Sequence, residues 1–320
     1  MPYELDPDES VHTGIARCAR EQLQVARRAL SEDAAEDPVG AVHTARKALK
    51  KERALLRLVR GAIPATQRRR ENRALRDAAR KLSGTRDADV MIATLDDLAK
   101  HFSGQMPAST FSAVRDQLVL AREGAQAAGA SAGTASALED LAAIEARMEG
   151  WQLQRGGWRA LDAGLLLTYG RGRKAFRRAR REPTLTNLHD WRKRVKDLWY
   201  ELRLLSPGGG PVVRGQTQEA RELGELLGSD HDLGVLSQTL GRIDDAVADD
   251  LRPLRGLIEH RREELQSEAM HAGRRLYAEK PRAFSRRMRS CWKAGRAQAL
   301  AAHERHPSEL AAATDSHGSY

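Results

Sequence analysis

Residues 188–204 read LHDWRKRVKDLWYELRL, and residues 42–58 read VHTARKALKKERALLRL. In each, apolar residues recur every three or four positions with cations between them, the pattern of an amphipathic helix. The two stretches align at a constant offset of 146 residues. His43 then matches His189, Arg46 matches Arg192, Lys47 matches Lys193, Lys50 matches Lys196 and Arg57 matches Arg203. On a helix turning about 100° per residue, positions 43, 46, 47 and 50 share a sector roughly 100° wide. Arg53 and Arg57 fall on or near it, and Val42, Ala45, Leu49, Leu56 and Val59 lie opposite. The second copy divides alike. His189, Arg192, Lys193, Lys196, Tyr200 and Arg203 line one side, with Leu188, Trp191, Val195, Leu198 and Leu202 on the other.

A second echo follows each copy. LSGTRDADVMIATL from Leu82 and LGSDHDLGVLSQTL from Leu227 align at an offset of 145, with Asp87 matching Asp232 and Val90 matching Val235. Upstream, the segments 14–30 and 164–179 are both basic and helical in pattern. Two echoes in the same order indicate an internal duplication. Leu, Ala, Arg and Glu dominate the chain, and no stretch alternates over a strand's length. The expected fold is all-α: two pseudo-symmetric antiparallel helical bundles, over residues 5–150 and 151–305, with a disordered tail at 306–320. Gly and Pro punctuate the helices; SPGGGP at 206–211 reads as a helix-ending linker, and helix ends are expected at Gly84 and Gly228.

Composition narrows the function. The 320 residues carry 54 Lys and Arg against 44 Asp and Glu, a formal charge of +10. At 41% hydrophobic and 31% charged, the chain suits neither disorder nor a membrane protein. Aromatics at 4% argue against a base-stacking surface. Cys18 and Cys291 make no disulfide framework, and MPYELDPDES lacks the regions of a signal peptide. A cytoplasmic protein is the expectation.

Like charges three and four residues apart repel, so a basic stripe of this kind is costly unless something anionic covers it. Most charged stripes are only solvated faces. Repetition of the same His-x-x-Arg-Lys-x-x-Lys spacing in both halves favours a ligand instead. The length of the stripes suits an extended chain of phosphates, with Arg forking onto two oxygens and Lys acting as a mobile point charge. His43 and His189 lie among cations, which disfavours their protonation until an anion binds.

The two helices resemble the signature helices of the CHAD family, and LSGTRDADV and LGSDHDLGV resemble its second recurring element, over about Leu5 to Arg305. That resemblance implies two helical bundles enclosing a basic surface that binds inorganic polyphosphate. Carried over by position, its ligands are His43, Arg46, Lys47, Lys50, Arg53, His189, Arg192, Lys193 and Lys196. On the preceding helices it adds Arg17, Arg20, Arg173, Lys174 and Arg177. The copies differ at Asp197, opposite Lys51, and at Trp199, opposite Arg53, which marks the second stripe as the weaker.

Catalysis has no support in the sequence. There is no Glu-x-Glu pair, no H-E-x-x-H and no P-loop. No cofactor or metal is expected: the acidic run Asp244, Asp245, Asp249 and Asp250 reads as a solvated face, and His303, His306 and His317 have no Cys partners. Asp87 and Asp232 read first as caps of new helices and second as orienting groups for the basic face. The five tryptophans read as packing residues. The expected function is non-catalytic binding of polyphosphate, with attachment to polyphosphate granules as its extension. A general polyanion or nucleic-acid binder is the alternative, and a polyphosphate-processing enzyme is the other rival.

Overall fold

A computed structural model describes residues 3–82, 86–105, 108–127, 131–148, 150–241 and 251–305. Helices account for its architecture, and no strand occurs among the described residues. They are α1 (Val11–Ser31), α2 (Pro38–Leu58), α3 (Ala65–Lys81), α4 (Arg86–His101), α5 (Ala108–Ala127), α6 (Ser131–Met148), α7 (Trp158–Arg181), α8 (Leu185–Leu240), α9 (Arg252–Leu276) and α10 (Pro281–Arg305). The expected all-α class holds. The tail 306–320, the acidic run 244–250, and the side chains of Asp87 and His303 lie outside what is described. No described helix is long and apolar enough to cross a membrane.

Local chemistry starts these helices where the sequence allows it. Ser10 caps α1 by accepting from the Thr13 amide at 3.0 Å. Asp37 caps α2 by accepting from the Gly40 amide, with Pro38 in the first turn where its missing N–H costs nothing. Thr184 caps α8 through the Asn187 amide.

Helix α8 is folded at Gly210, whose φ of 65° and ψ of −163° suit glycine and few other residues. The SPGGGP run therefore ends the first arm of α8, as expected of it, and joins it to the second. Its arms, 185–209 and 211–240, run antiparallel: Ser206 and Thr217 share a hydroxyl hydrogen bond of 2.8 Å, and the His189 ring stacks on His231. The expected helix end at Gly228 is corrected here, because α8 continues through it to Leu240. Gly228 serves close approach instead: a Cβ there would sit 3.3 Å from the Arg192 guanidinium, and one at Gly224 would sit 3.0 Å from Lys196 Cε. Asp232 is accordingly inside a helix and caps nothing.

Two apolar cores result. The larger joins α1, α2, α3 and α6 to α7, the first arm of α8 and α10, around Leu23, Leu55, Leu58, Leu165, Trp191 and Phe284. The smaller is built by α4 and α5 on the second arm of α8 and α9, through Leu95, Leu98, Leu118, Leu236, Leu254 and Ile258. Both cores draw residues from either side of position 150. Segments that echo each other in sequence also meet in space, α2 against the first arm of α8 and α4 against the second.

Glu52, Glu71 and Glu201 are carboxyls buried on the helices that build the larger core. Glu201 is fully buried and accepts a 2.7 Å hydrogen bond from Thr168, and burial lifts its carboxyl to about 8. The unfolded chain releases this proton near the ordinary value of 4.5 while the folded chain keeps it to about 8. Stability contributed by the protonated form is therefore lost as pH rises through that window. Glu201→Gln keeps an acceptor for Thr168 and removes the titration. We expect it to match the parent near pH 4 and to exceed it by on the order of 3 kcal/mol at pH 8, in chemical denaturation at both pH values. Equal stability of the two proteins at pH 8 contradicts this account of Glu201.

Candidate anion-binding surface

The cations of the two echoing helices come together where α2 packs on the first arm of α8. Arg57 Nη2 donates to Asp197 Oδ1 at 2.5 Å, and Arg194 Nη1 reaches the other oxygen at 3.0 Å. This ion pair ties α2 to α8 across a surface that is otherwise self-repelling. Lys47 on α2 acts electrostatically on Lys196 of α8, Arg203 of α8 acts on Lys51 of α2, and Arg194 acts on Arg53. Asp197, the residue that breaks the evenness of the repeat, is thus the tie between the stripes.

Exposure differs along the surface. His43, Lys47, Lys50 and Lys193 are exposed, whereas Arg46, Arg53, His189, Arg192 and Lys196 are half-buried. Arg46 donates to the Leu82 carbonyl at 3.2 Å, Arg53 donates to Asn72 Oδ1 at 3.1 Å, and Lys193 pairs with Asp190. Burial lowers the Lys196 ammonium, and Arg192 and Lys47 add to the effect against the opposing pull of Glu225. Burial also lowers the Arg53 guanidinium, with Arg57 pushing the same way. Trp199 carries two cations on its ring, Lys196 Nζ at 4.7 Å and the Arg203 guanidinium at 5.5 Å from its centroid. Its role is wider than the packing expected of it.

The second arm of α8 adds a group that the repeat conceals. The His231 ring stacks on His189 with centroids 4.0 Å apart and planes 25° apart. Nδ1 of each is buried without a hydrogen-bond partner, as is Nε of Arg192. Under the offset of 145, position 231 corresponds to Arg86, so the echo gives no sign of a histidine there. Burial lowers His189 to about 4, with His231, Lys193 and Arg192 acting alike and Asp190 opposing. The expected neutrality of His189 follows from burial first and from charge second. We expect its imidazole to stay neutral from pH 7 to about pH 5, read as an unchanged ring-nitrogen NMR shift. The unfolded chain takes up that proton near 6.5, so stability falls as pH drops from there toward 4. Titration of His189 near 6.5 in the folded protein contradicts the assignment.

Cations on the preceding helices are placed elsewhere. Arg17 is held by Glu9 at 2.5 Å, by Glu21 at 3.2 Å and by the Glu4 carbonyl. Arg20 lines a cleft between α1 and α6 with His12 and Trp151. Arg173 donates to the Tyr277 carbonyl at the end of α9. Lys174 and Arg177 are exposed on α7. These five are not brought to the α2–α8 contact by any described interaction. No group of three or more His, Cys, Asp or Glu among the described residues is placed to hold a metal ion.

Comparison with known proteins agrees with this architecture. A solved structure of PptA from Streptomyces chartreusis superposes with a TM-score of 0.58 at 17% identity, covering 83% of this chain and 98% of that one. The CHAD domain from the plant Ricinus communis superposes with a TM-score of 0.59 at 18% identity, covering 86% and 94%. At these identities the likeness is one of fold. No curated protein matches the sequence. The model of the CHAD domain family matches residues 15–241, from early in α1 to the end of α8, a span that includes both repeated helices and the contact between them. The chain belongs to the CHAD domain family.

Proposed function

We propose that this protein binds inorganic polyphosphate, without catalysing its turnover, on the surface where α2 meets α8. The observation that carries the reading is the packing of α2 on the first arm of α8, which half-buries Lys51, Arg53 and Lys196 among other cations, where each is costly to keep charged. A chain of phosphates would relieve that cost at several points together, by charge-assisted hydrogen bonds. His43, Arg46, Lys47, Lys50, Arg53, His189, Arg192, Lys193 and Lys196 are its proposed ligands. Arg17, Arg20, Arg173, Lys174 and Arg177 serve as outlying contacts in this reading. Such a protein would work in the cytoplasm and attach to polyphosphate granules.

The test is fluorescence anisotropy of labelled long-chain polyphosphate near physiological salt, with unlabelled polyphosphate and duplex DNA as separate competitors. Binding displaced by polyphosphate and not by DNA supports the reading. Equal displacement by DNA makes the surface a general polyanion binder and overturns it. Affinity should fall steeply with salt, because each phosphate contact displaces a counter-ion.

A further inference from the structure

Lys51 and Asp197 correspond under the offset of 146, and so do Arg57 and Arg203. The Arg57–Asp197 ion pair therefore has a counterpart across the same two helices in Arg203 and Lys51, which act on each other electrostatically. The first carries its own counter-ion, fastened from a second side by Arg194. The second brings two cations together. Among the described residues, neither Lys51 nor Arg203 has a carboxylate at ion-pair distance.

Every element packed on Lys51 leaves its ammonium without a countercharge. The N-terminal segment offers the face of Tyr3, 5.3 Å from Nζ, whose hydroxyl is occupied in donating to the Lys51 carbonyl. From α1 comes Cys18, whose thiol burial pushes up to about 11 and so keeps neutral. Helix α2 supplies Lys47, and α8 supplies Arg203. An aromatic face compensates an ammonium only weakly compared with an anion.

We propose that Lys51 and Arg203 form a phosphate subsite, in which a ligand phosphate takes the place that the Asp197 carboxylate fills beside Arg57. A polyanion then crosses the α2–α8 contact on the Lys51 side only. This rests on the polyphosphate reading and adds to it a direction and two residues outside the expected ligand set. Burial, then Arg203 and Lys47, lower the Lys51 ammonium to about 8. Above that pH the free protein holds Lys51 largely neutral, and a phosphate beside it favours the charged form. Binding therefore takes up a proton above about pH 8 and none well below it.

The experiment is calorimetric titration of the full chain with tripolyphosphate at pH 8.5, in two buffers of different ionisation enthalpy. The wild type is expected to bind with uptake of a fraction of a proton. Lys51→Arg, which stays charged, should keep affinity within about threefold and take up less. The difference is read because Lys196 also titrates low. Lys51→Gln should lose about tenfold in affinity, as for one charge-assisted contact. Asp197→Asn, which removes the built-in counter-ion, should bind more tightly than wild type. Lys51→Gln that is folded by circular dichroism and matches wild type in affinity and proton uptake overturns the subsite alone. Absence of binding by wild type to both tripolyphosphate and long-chain polyphosphate overturns the underlying reading with it.

Discussion

Replacing Arg46, Lys50, Arg192 and Lys196 together by alanine is expected to lower affinity for long-chain polyphosphate on the order of 10³-fold. Charge-assisted hydrogen bonds contribute roughly 1.5–3 kcal/mol each, and exposed contacts such as that of Lys50 contribute less. Four of them, partly screened, give a loss of this size. The salt dependence should flatten as well, by about 3 in the slope of log affinity against log salt, taking the single-strand coefficient as a guide. The fold should survive. Lys50 is exposed, while Arg192 and Lys196 lie across Gly224 and Gly228, where shortening relieves crowding rather than opening a core. Arg46 gives up one hydrogen bond to the Leu82 carbonyl. Anisotropy at several salt concentrations, with circular dichroism as the folding control, reads both effects. A folded variant with parental affinity would sink the assignment of these ligands.

Gly164→Ala is expected to destabilise the protein by at least about 3 kcal/mol, the largest effect anticipated from a single methyl group here. A Cβ at Gly164 would stand 1.9 Å from the Leu58 carbonyl oxygen and 2.4 Å from its carbon. The obstacle is backbone, so no side chain can swing aside, and α7 must move off α2. Leu58 closes α2 one residue beyond Arg57, so the shift also strains the Arg57–Asp197 tie. Gly170→Ala on the same helix is the control. Its Cβ meets only Pro281, at 3.7 Å, and alanine's better helix propensity should leave stability unchanged or raised by up to about 1 kcal/mol. Urea denaturation of the two variants beside the parent makes the comparison, and a Gly164→Ala protein as stable as Gly170→Ala would refute the close-approach argument.

The helical nature of the chain was readable at nearly every segment, because a period of three to four residues is a local property. The repeat directed attention to α2 and α8, where the cations in fact converge. Its limits are equally physical. The echo conceals His231, because the corresponding position in the first half is an arginine. Gly228 reads as a helix end in the sequence because glycine is a weak helix former. Its use at that position depends on the Arg192 side chain, thirty-six residues earlier in the chain. Arg17 had the right charge on a basic helix, but Glu9, from the segment leading into α1, already holds it.

By itself, the sequence determined the all-α class, the face of each helix that carries cations, and the membership that the family match bears out. All three depend on residue order along one helix or on the pattern as a string. Only the tertiary structure decided which cations meet. Arg57 reaches Asp197, and Arg203 acts on Lys51, because α2 packs on the first arm of α8, and His231 reaches His189 because the chain folds back at Gly210. Desolvation was likewise settled there. The charge of Lys51, Lys196 and His189 responds to what covers each group, and that covering comes from helices far away in the chain.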